Sequence, residues 1–156
     1  MERTLVMLKP DAVQRGFVGQ ILARFDAKGL KIVALKMARM DRALAERHYA
    51  PHKGKDFYDP LIRFVTSGPL VFVVLEGKDA VAVVRKMMGA TFGPAAEPGT
   101  IRGDLGMSNR FNLIHGSNAP DAAEREIGLF FRPEELIDWQ PAAQPWVYDF
   151  STGDVI

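Results

Sequence analysis

Residues 69–77 read PLVFVVLEG, the clearest strand in the chain, and RTLVMLK at 3–9 is a second short apolar run, closed by Lys-Pro-Asp. Apolar runs of this length bounded by turn residues suit buried strands. LKIVALKMARM (30–40) and FNLIH (111–115) add two further strand-like segments. Helical patterns lie between them. Phe17, Ile21 and Phe25 recur at four-residue spacing and Gly29 follows as a stop, which predicts a helix over 17–28. Gly16 and Gly19 discourage one continuous helix through DAVQRGFVGQ. Asp41 can cap RALAERHYA, DAVAVVRKMMG predicts a helix over 79–89 ended by Gly89, and APDAAEREIGLFF starts a helix after an Asn118 cap. The order is β-α-β-(α)-β-α-β-α, which places the chain among α/β or α+β folds. Four strands with two main crossover helices suit a ferredoxin-like βαββαβ arrangement, a four-stranded antiparallel sheet covered by helices. A doubly wound parallel sheet is the alternative.

Two segments resist assignment. PHKGKDFYDP (51–60) is polar with Gly and Pro and reads as a mobile loop or loop-helix. Residues 90–110 read as a long irregular segment, and loops of that length in compact domains are commonly functional or disordered. A length of 156 residues fits a single domain over 1–156, with 149–156 as a short C-terminal tail. With 47% hydrophobic residues the chain can build a core without staples. A net charge of +1 supplies no bulk field toward nucleic acid or membrane. The absence of cysteine excludes disulfides, Cys-ligated zinc and thiol chemistry, and fits a reducing compartment. No apolar stretch approaches the length of a membrane span, so a cytoplasmic protein is the expectation.

The chain has no G-x-x-x-x-G-K-[ST] loop, no G-x-G-x-x-G opening a helix after a strand, and no H-E-x-x-H. What remains is a set of basic and polar groups at element ends: Lys9, Arg85, Thr91, Arg102 and Asn112. Such groups can clamp an anion through charge-assisted hydrogen bonds, although exposed Lys and Arg are more often merely solvated. His115, one of three histidines, ends an apolar run and precedes Gly-Ser-Asn-Ala-Pro. A lone histidine near a strand is more often structural. A strand end, however, presents side chains to a cleft, and Glu126 on the following helix could hydrogen-bond one ring nitrogen and leave the other as a nucleophile.

NLIHGS, LKPDAVQRG and PGTIRGD occur together with HY at 48–49, SGP at 67–69 and GAT at 89–91. In these motifs and their order the chain resembles the nucleoside diphosphate kinases, from about Glu2 to Asp149. The resemblance implies transfer of the γ-phosphoryl group of a nucleoside triphosphate to a nucleoside diphosphate, by ping-pong through a phosphohistidine at His115. It implies Mg²⁺ held by nucleotide phosphates, with no protein metal ligand. Matching motif positions make Lys9 a ribose and phosphate contact and Asn112 a ribose contact. Arg85, Thr91 and Arg102 then hold phosphate oxygens, and Tyr49 lies close to the histidine. Glu126 orients His115 with support from Ser117, while Phe57 stacks on the base beside Leu61. The family fold is the ferredoxin-like sheet, and its members assemble as hexamers, or tetramers in some bacteria.

Three positions depart from the family pattern. Phe111 stands where an Arg is usual and Asn118 where an Asp is common. Asn109 replaces a small apolar residue on the other face of the base. The rival readings are a non-catalytic regulatory or nucleic-acid-binding member and a narrower histidine phosphotransferase. The near-neutral charge argues against dedicated nucleic-acid binding, and the intact site positions argue against a dead enzyme.

Overall fold

The computed structural model describes residues 1–156. Strands β1 (Glu2–Leu8), β2 (Lys31–Arg39), β3 (Pro69–Gly77) and β4 (Ile114–Gly116) form one antiparallel sheet in the order β2-β3-β1-β4. This is the ferredoxin-like arrangement, and the parallel alternative falls.

The two central strands, β1 and β3, are covered on both faces, which is why they read as nearly unbroken apolar runs. Leu5, Met7, Phe72 and Val74 point into one core layer, closed by α3 (Arg42–His48), α4 (Tyr58–Val65) and α7 (Pro120–Phe130) through Ala45, Ile62, Val65 and Phe130. Val6, Leu8, Val71, Val73 and Leu75 point into the other, closed by α2 (Val18–Lys28) and α5 (Ala80–Met88) through Ile21, Phe25, Val84 and Met88. Each fully buried side chain of this kind contributes roughly 1.5–3 kcal/mol relative to exposure.

Local chemistry explains both the agreements and the departures. Gly29 ends α2 at φ +90°, a left-handed cap that glycine adopts without a Cβ clash. The Asp41 carboxylate accepts the Leu44 N–H at 2.7 Å, so the expected cap of α3 is present. Asn118 does not cap α7. Ala119 occupies the cap position without a side-chain bond and Pro120 begins the helix, so Asn118 stands one residue too early to reach the first-turn amides. Pro10 likewise opens α1 (Pro10–Gln14), a short helix that ends before Gly16, so no continuous helix runs through this segment, as its glycines implied. Lys9 is the cap residue of α1 and not the last residue of β1.

Residues 51–60 are not a loop throughout. A 3₁₀ turn over Ala50–His52 leads into α4, whose first residue is Tyr58. The long segment after α5 holds a 3₁₀ turn at Gly93–Ala95 and α6 (Ile101–Leu105), capped by the Thr100 hydroxyl on the Gly103 N–H at 3.0 Å. The fourth strand begins at Ile114 and not at Phe111. The C-terminal segment returns along the outer edge of β2, where Ile137 N–H donates to the Val33 carbonyl at 3.0 Å and the Trp139 indole to the Ile32 carbonyl at 2.9 Å. Asp149 and Ile156 exchange backbone hydrogen bonds of 2.9 and 3.1 Å, closing the last residues into a loop.

Gly116 admits the closest approach between sheet and helix. A Cβ there would stand 2.5 Å from Met88 Sδ and 3.3 Å from Val84 Cγ1, both in the buried layer under α5. Gly116→Ala is therefore expected to destabilise the fold by about 1–3 kcal/mol through overpacking. Urea denaturation would measure this as a lower midpoint with an unchanged slope.

Candidate active site

A three-residue strand fixes His115. Val6 pairs with Gly116, Met7 with His115 and Leu8 with Ile114. The preceding residue, Leu113, has φ +71°, a conformation that costs a non-glycine residue on the order of 1–3 kcal/mol. Two bonds hold it there. Lys9 N–H donates to the Leu113 carbonyl at 2.8 Å, and Leu113 N–H donates to Asp11 Oδ2 at 3.0 Å. The Lys-Pro-Asp turn after β1 thus fastens the strand that carries the histidine. Burial pushes the Asp11 carboxyl above its ordinary value, against the opposing pull of the Leu113 amide and Lys9.

His115 Nε2 lies 2.9 Å from Glu126 Oε2 on α7, and the Ser117 hydroxyl donates to the same oxygen at 2.7 Å. Leu5 N–H in turn donates to Ser117 Oγ at 3.3 Å. Burial works to raise the Glu126 carboxyl, but the hydrogen bond and charge of His115, with the Ser117 hydroxyl, hold it below its ordinary value. An ionised carboxylate only accepts hydrogen bonds. The proton of a neutral His115 ring therefore sits on Nε2, and Nδ1 carries a free lone pair.

His48 stands beside this pair. Its ring centroid is 4.8 Å from that of His115 at an interplanar angle of 89°, and both its ring nitrogens are buried without a protein partner. Burial, then the neighbouring His115, lowers its pKa to about 3, so it is neutral at physiological pH. Tyr49 packs on the His48 ring at 4.4 Å, and burial pushes its hydroxyl well above the ordinary phenol value.

On the other side lie the cations. Lys9 Nζ donates to Asn112 Oδ1 at 2.7 Å, and the Asn112 amide donates to the Thr91 carbonyl at 2.9 Å. Arg102, only 4% exposed, donates to the carbonyls of Asn112, Gly89 and Ile114 at 3.1, 3.2 and 2.6 Å. Those three bonds use part of a guanidinium with five N–H donors, so Arg102 both braces the β4 approach and retains two for a ligand. Burial, then the charge of Arg85, lowers its pKa to about 10, and it stays charged at neutral pH.

One cleft of about 670 Å³ runs between the histidine pair and the cations. Lys9, Tyr49, Phe57, Leu61, Arg85, Thr91, Arg102, Asn109, Asn112, His115 and Glu126 all line it. Ser117 stands behind Glu126, fully buried. Phe111 does not line the cleft; its ring packs on Phe64 at 4.9 Å. The sequence reading missed Phe92, Arg110, Arg125 and His48 as lining groups. His48 is the last residue of α3, within the helix expected after Asp41. The signal was present in the HY pair, yet only tertiary packing reveals which ring faces His115.

The family described as "Nucleoside diphosphate kinase" matches residues 2–136. A nucleoside diphosphate kinase of Desulfitobacterium hafniense is 56% identical over 147 residues, spanning 94% of this chain and 99% of that protein. One of Synechococcus elongatus is 54% identical over 149 residues, spanning 96% and 100%. A solved nucleoside diphosphate kinase of Halobacterium salinarum, in complex with CDP, superposes with a TM-score of 0.93 at 54% identity, covering 95% of this chain and 99% of that one. The chain belongs to the nucleoside diphosphate kinase family. It is a phosphotransferase of that class, moving the γ-phosphoryl group of a nucleoside triphosphate to a nucleoside diphosphate.

The electrostatics of the kinase set a pH dependence. Burial, then the Arg102 charge, lowers the Lys9 pKa to about 8. A phosphate oxygen placed beside the amine would favour its charged form, and binding would then be strongest where Lys9 is protonated. Affinity for ADP should therefore fall as pH rises through about 8. Calorimetric titration across that range should show the decline, and Lys9→Met should flatten it.

Proposed function

We propose that His115 is the phosphoryl carrier of a ping-pong reaction. The observation that carries this reading is the Ser117–Glu126–His115 chain, which places the ring proton on Nε2 and leaves Nδ1 unpaired in a cleft lined by cations. The Nδ1 lone pair forms a bond to the γ-phosphorus, the bond to the β–γ bridging oxygen breaks, and the diphosphate leaves with that oxygen's charge. A terminal oxygen of an incoming diphosphate then attacks the phosphohistidine and the P–N bond breaks. The phosphorylated ring carries a positive charge, which the Glu126 carboxylate offsets. The remaining contribution is positioning and charge stabilisation.

Arg85, Thr91 and the two spare N–H groups of Arg102 hold phosphate oxygens. Lys9 reaches ribose and phosphate, with Asn112 on the ribose. Tyr49 supports the histidine through His48. Phe57, 47% exposed at the start of α4, offers an open ring face for the base, with Leu61 beside it. Mg²⁺ favours several oxygen ligands. The cleft has one carboxylate, Glu126, already engaged by His115 and Ser117, so this ion fits as a companion of the substrate, held by nucleotide phosphates.

The same reading covers assembly and location. Leu35 and Met37 on the edge strand β2 are 50% and 60% exposed, an apolar edge suited to a second copy in a hexamer, or a tetramer. No helix is long and apolar enough to cross a membrane. A cytoplasmic enzyme acting on nucleotides, without dedicated nucleic-acid binding, fits a net charge of +1.

Incubation with Mg²⁺·ATP and no acceptor should give an acid-labile phosphoprotein, and His115→Ala should abolish it with the fold intact. Equal labelling of that variant would exclude His115. In the same assay Glu126→Gln should slow labelling on the order of 10- to 1,000-fold while retaining nucleotide binding. A change confined to affinity would move Glu126 to the binding surface.

Asn109 lies on the cleft wall, where a polar amide offers less apolar contact than a small aliphatic group. Stacking tolerates every base and is worth roughly 1–3 kcal/mol. Asn109→Val should therefore raise kcat/KM for ADP, GDP, CDP and UDP by similar factors. A gain for one base with a loss for another would show that Asn109 reads a base edge.

A further inference from the structure

Mg²⁺ has no place among the protein groups of the cleft, but a softer ion does. His48, His115 and Glu126 each offer one ligand atom, and these atoms lie within 4.8 Å of one another. Two imidazole nitrogens and a carboxylate oxygen form a donor set preferred by Zn²⁺ and its neighbours, as in sites with three protein ligands and one open position. Tetrahedral bonds of 2.0–2.1 Å place ligand atoms about 3.3 Å apart, so the set must close by roughly 1.5 Å at most.

Two further observations point the same way. Both ring nitrogens of His48 are buried and lack a protein partner, so coordination there breaks no existing bond. On Glu126, the bonds from His115 and Ser117 both fall on Oε2. An ion taking the place of the His115 Nε2 proton, which passes to Nδ1 of the same ring, would leave the Ser117 bond to Glu126 in place.

We propose that His48, His115 and Glu126 form a binding site for a nitrogen-preferring divalent cation of the Zn²⁺ class, and that this ion arrests the phosphoryl carrier. Coordination at His115 Nε2 leaves the single proton of the neutral ring on Nδ1, so the lone pair that would attack phosphorus is no longer free. The ion also takes the carboxylate that would offset the charge of the phosphorylated ring. The charges of Lys9 and Arg125, which face His48, oppose a bare cation and keep the site weaker than a closed structural zinc centre. The inhibitory half rests on the reading of His115 as carrier; the binding half does not.

The chain has three histidines, so the ring nitrogens can be followed one by one. Zn²⁺ titrated into the nucleotide-free, unphosphorylated wild type should shift the ¹⁵N resonances of His48 and His115 together and leave His52 unmoved, with Mg²⁺ in excess producing no change. His48→Asn should weaken Zn²⁺ binding, measured by calorimetry, by at least the roughly 10- to 100-fold that losing even a group behind a ligand costs. Resonance shifts confined to His52, or no shifts at all, would overturn the site without any variant. Unchanged affinity in a folded His48→Asn chain would do the same. With the site occupied, labelling by ATP should slow in the wild type, and the Zn²⁺ concentration needed should rise in His48→Asn by the same factor as the binding constant. Occupancy without slower labelling would overturn the inhibitory half alone.

Discussion

The site depends on a two-sided grip on one residue. Leu113 holds a left-handed backbone that its side chain disfavours, and it persists because its carbonyl and amide are both claimed by the turn after β1. The carbonyl takes the amide of Lys9, and the amide gives to the carboxylate of Asp11. Each net hydrogen bond of this kind is worth about 1 kcal/mol, but stranding a buried partner costs about 1–3 kcal/mol. The grip is therefore of the same size as the strain, and giving it up would cost more than relieving the strain returns wherever the freed groups stay buried. Its consequence is a chain that turns sharply enough for Ile114–Gly116 to pair with β1, so that His115 faces α7 and not the opposite layer. Lys9 joins the grip through its backbone and lines the cleft with its side chain. The strand that carries His115 and a cation of the cleft are thereby set by one turn.

A second constraint is the imbalance of charge in the cleft. Lys9, Arg85, Arg102, Arg110 and Arg125 face a single carboxylate, Glu126. In a chain of net charge +1 this concentration is local and invisible to the total. Two of these cations are fixed by hydrogen bonds: Arg102 commits three donors to backbone carbonyls, and Lys9 is held by Asn112, whose amide is bonded to Thr91. Rotamers fixed this way need little rearrangement when an anion arrives, which reduces the entropic cost of binding.

How much of this was legible in the sequence follows from how each element is held. β1 and β3 were readable because both faces are buried, and α2 and α5 because one helical face meets the core and a glycine follows each. The short helices were not. α1 and α6 have five residues each, too few for a periodic pattern, and α6 carries Gly103 in its middle. Asn118 looked like a cap because its residue type suits that role, but Pro120 moves the helix start beyond it. Most of the site emerged through motif resemblance, and the geometry gathers eleven of those twelve residues on the cleft with Ser117 behind it. His48 escaped because its relation to His115 is a contact between two core elements distant in sequence, and no spacing rule encodes such a contact.

Function and stability pull against each other at Lys9. Its pKa falls from 10.5 to about 8, chiefly through burial, then through Arg102. The unfolded chain therefore binds more protons than the folded one between about 8 and 10.5, and folding stability from this group rises with pH across that window. Below it the full cost is present, roughly 3 kcal/mol for a shift of this size. At neutral pH the fold thus carries a buried cation beside another cation. A phosphate group entering the cleft reverses the sign of that environment, because it supplies the counter-charge that burial withholds. The free energy recovered would appear as affinity for an anion placed beside Lys9 and Arg102. The penalty carried at Lys9 thus favours an anionic ligand, and with the base stacked as proposed on the half-exposed ring of Phe57 its identity would stay largely open.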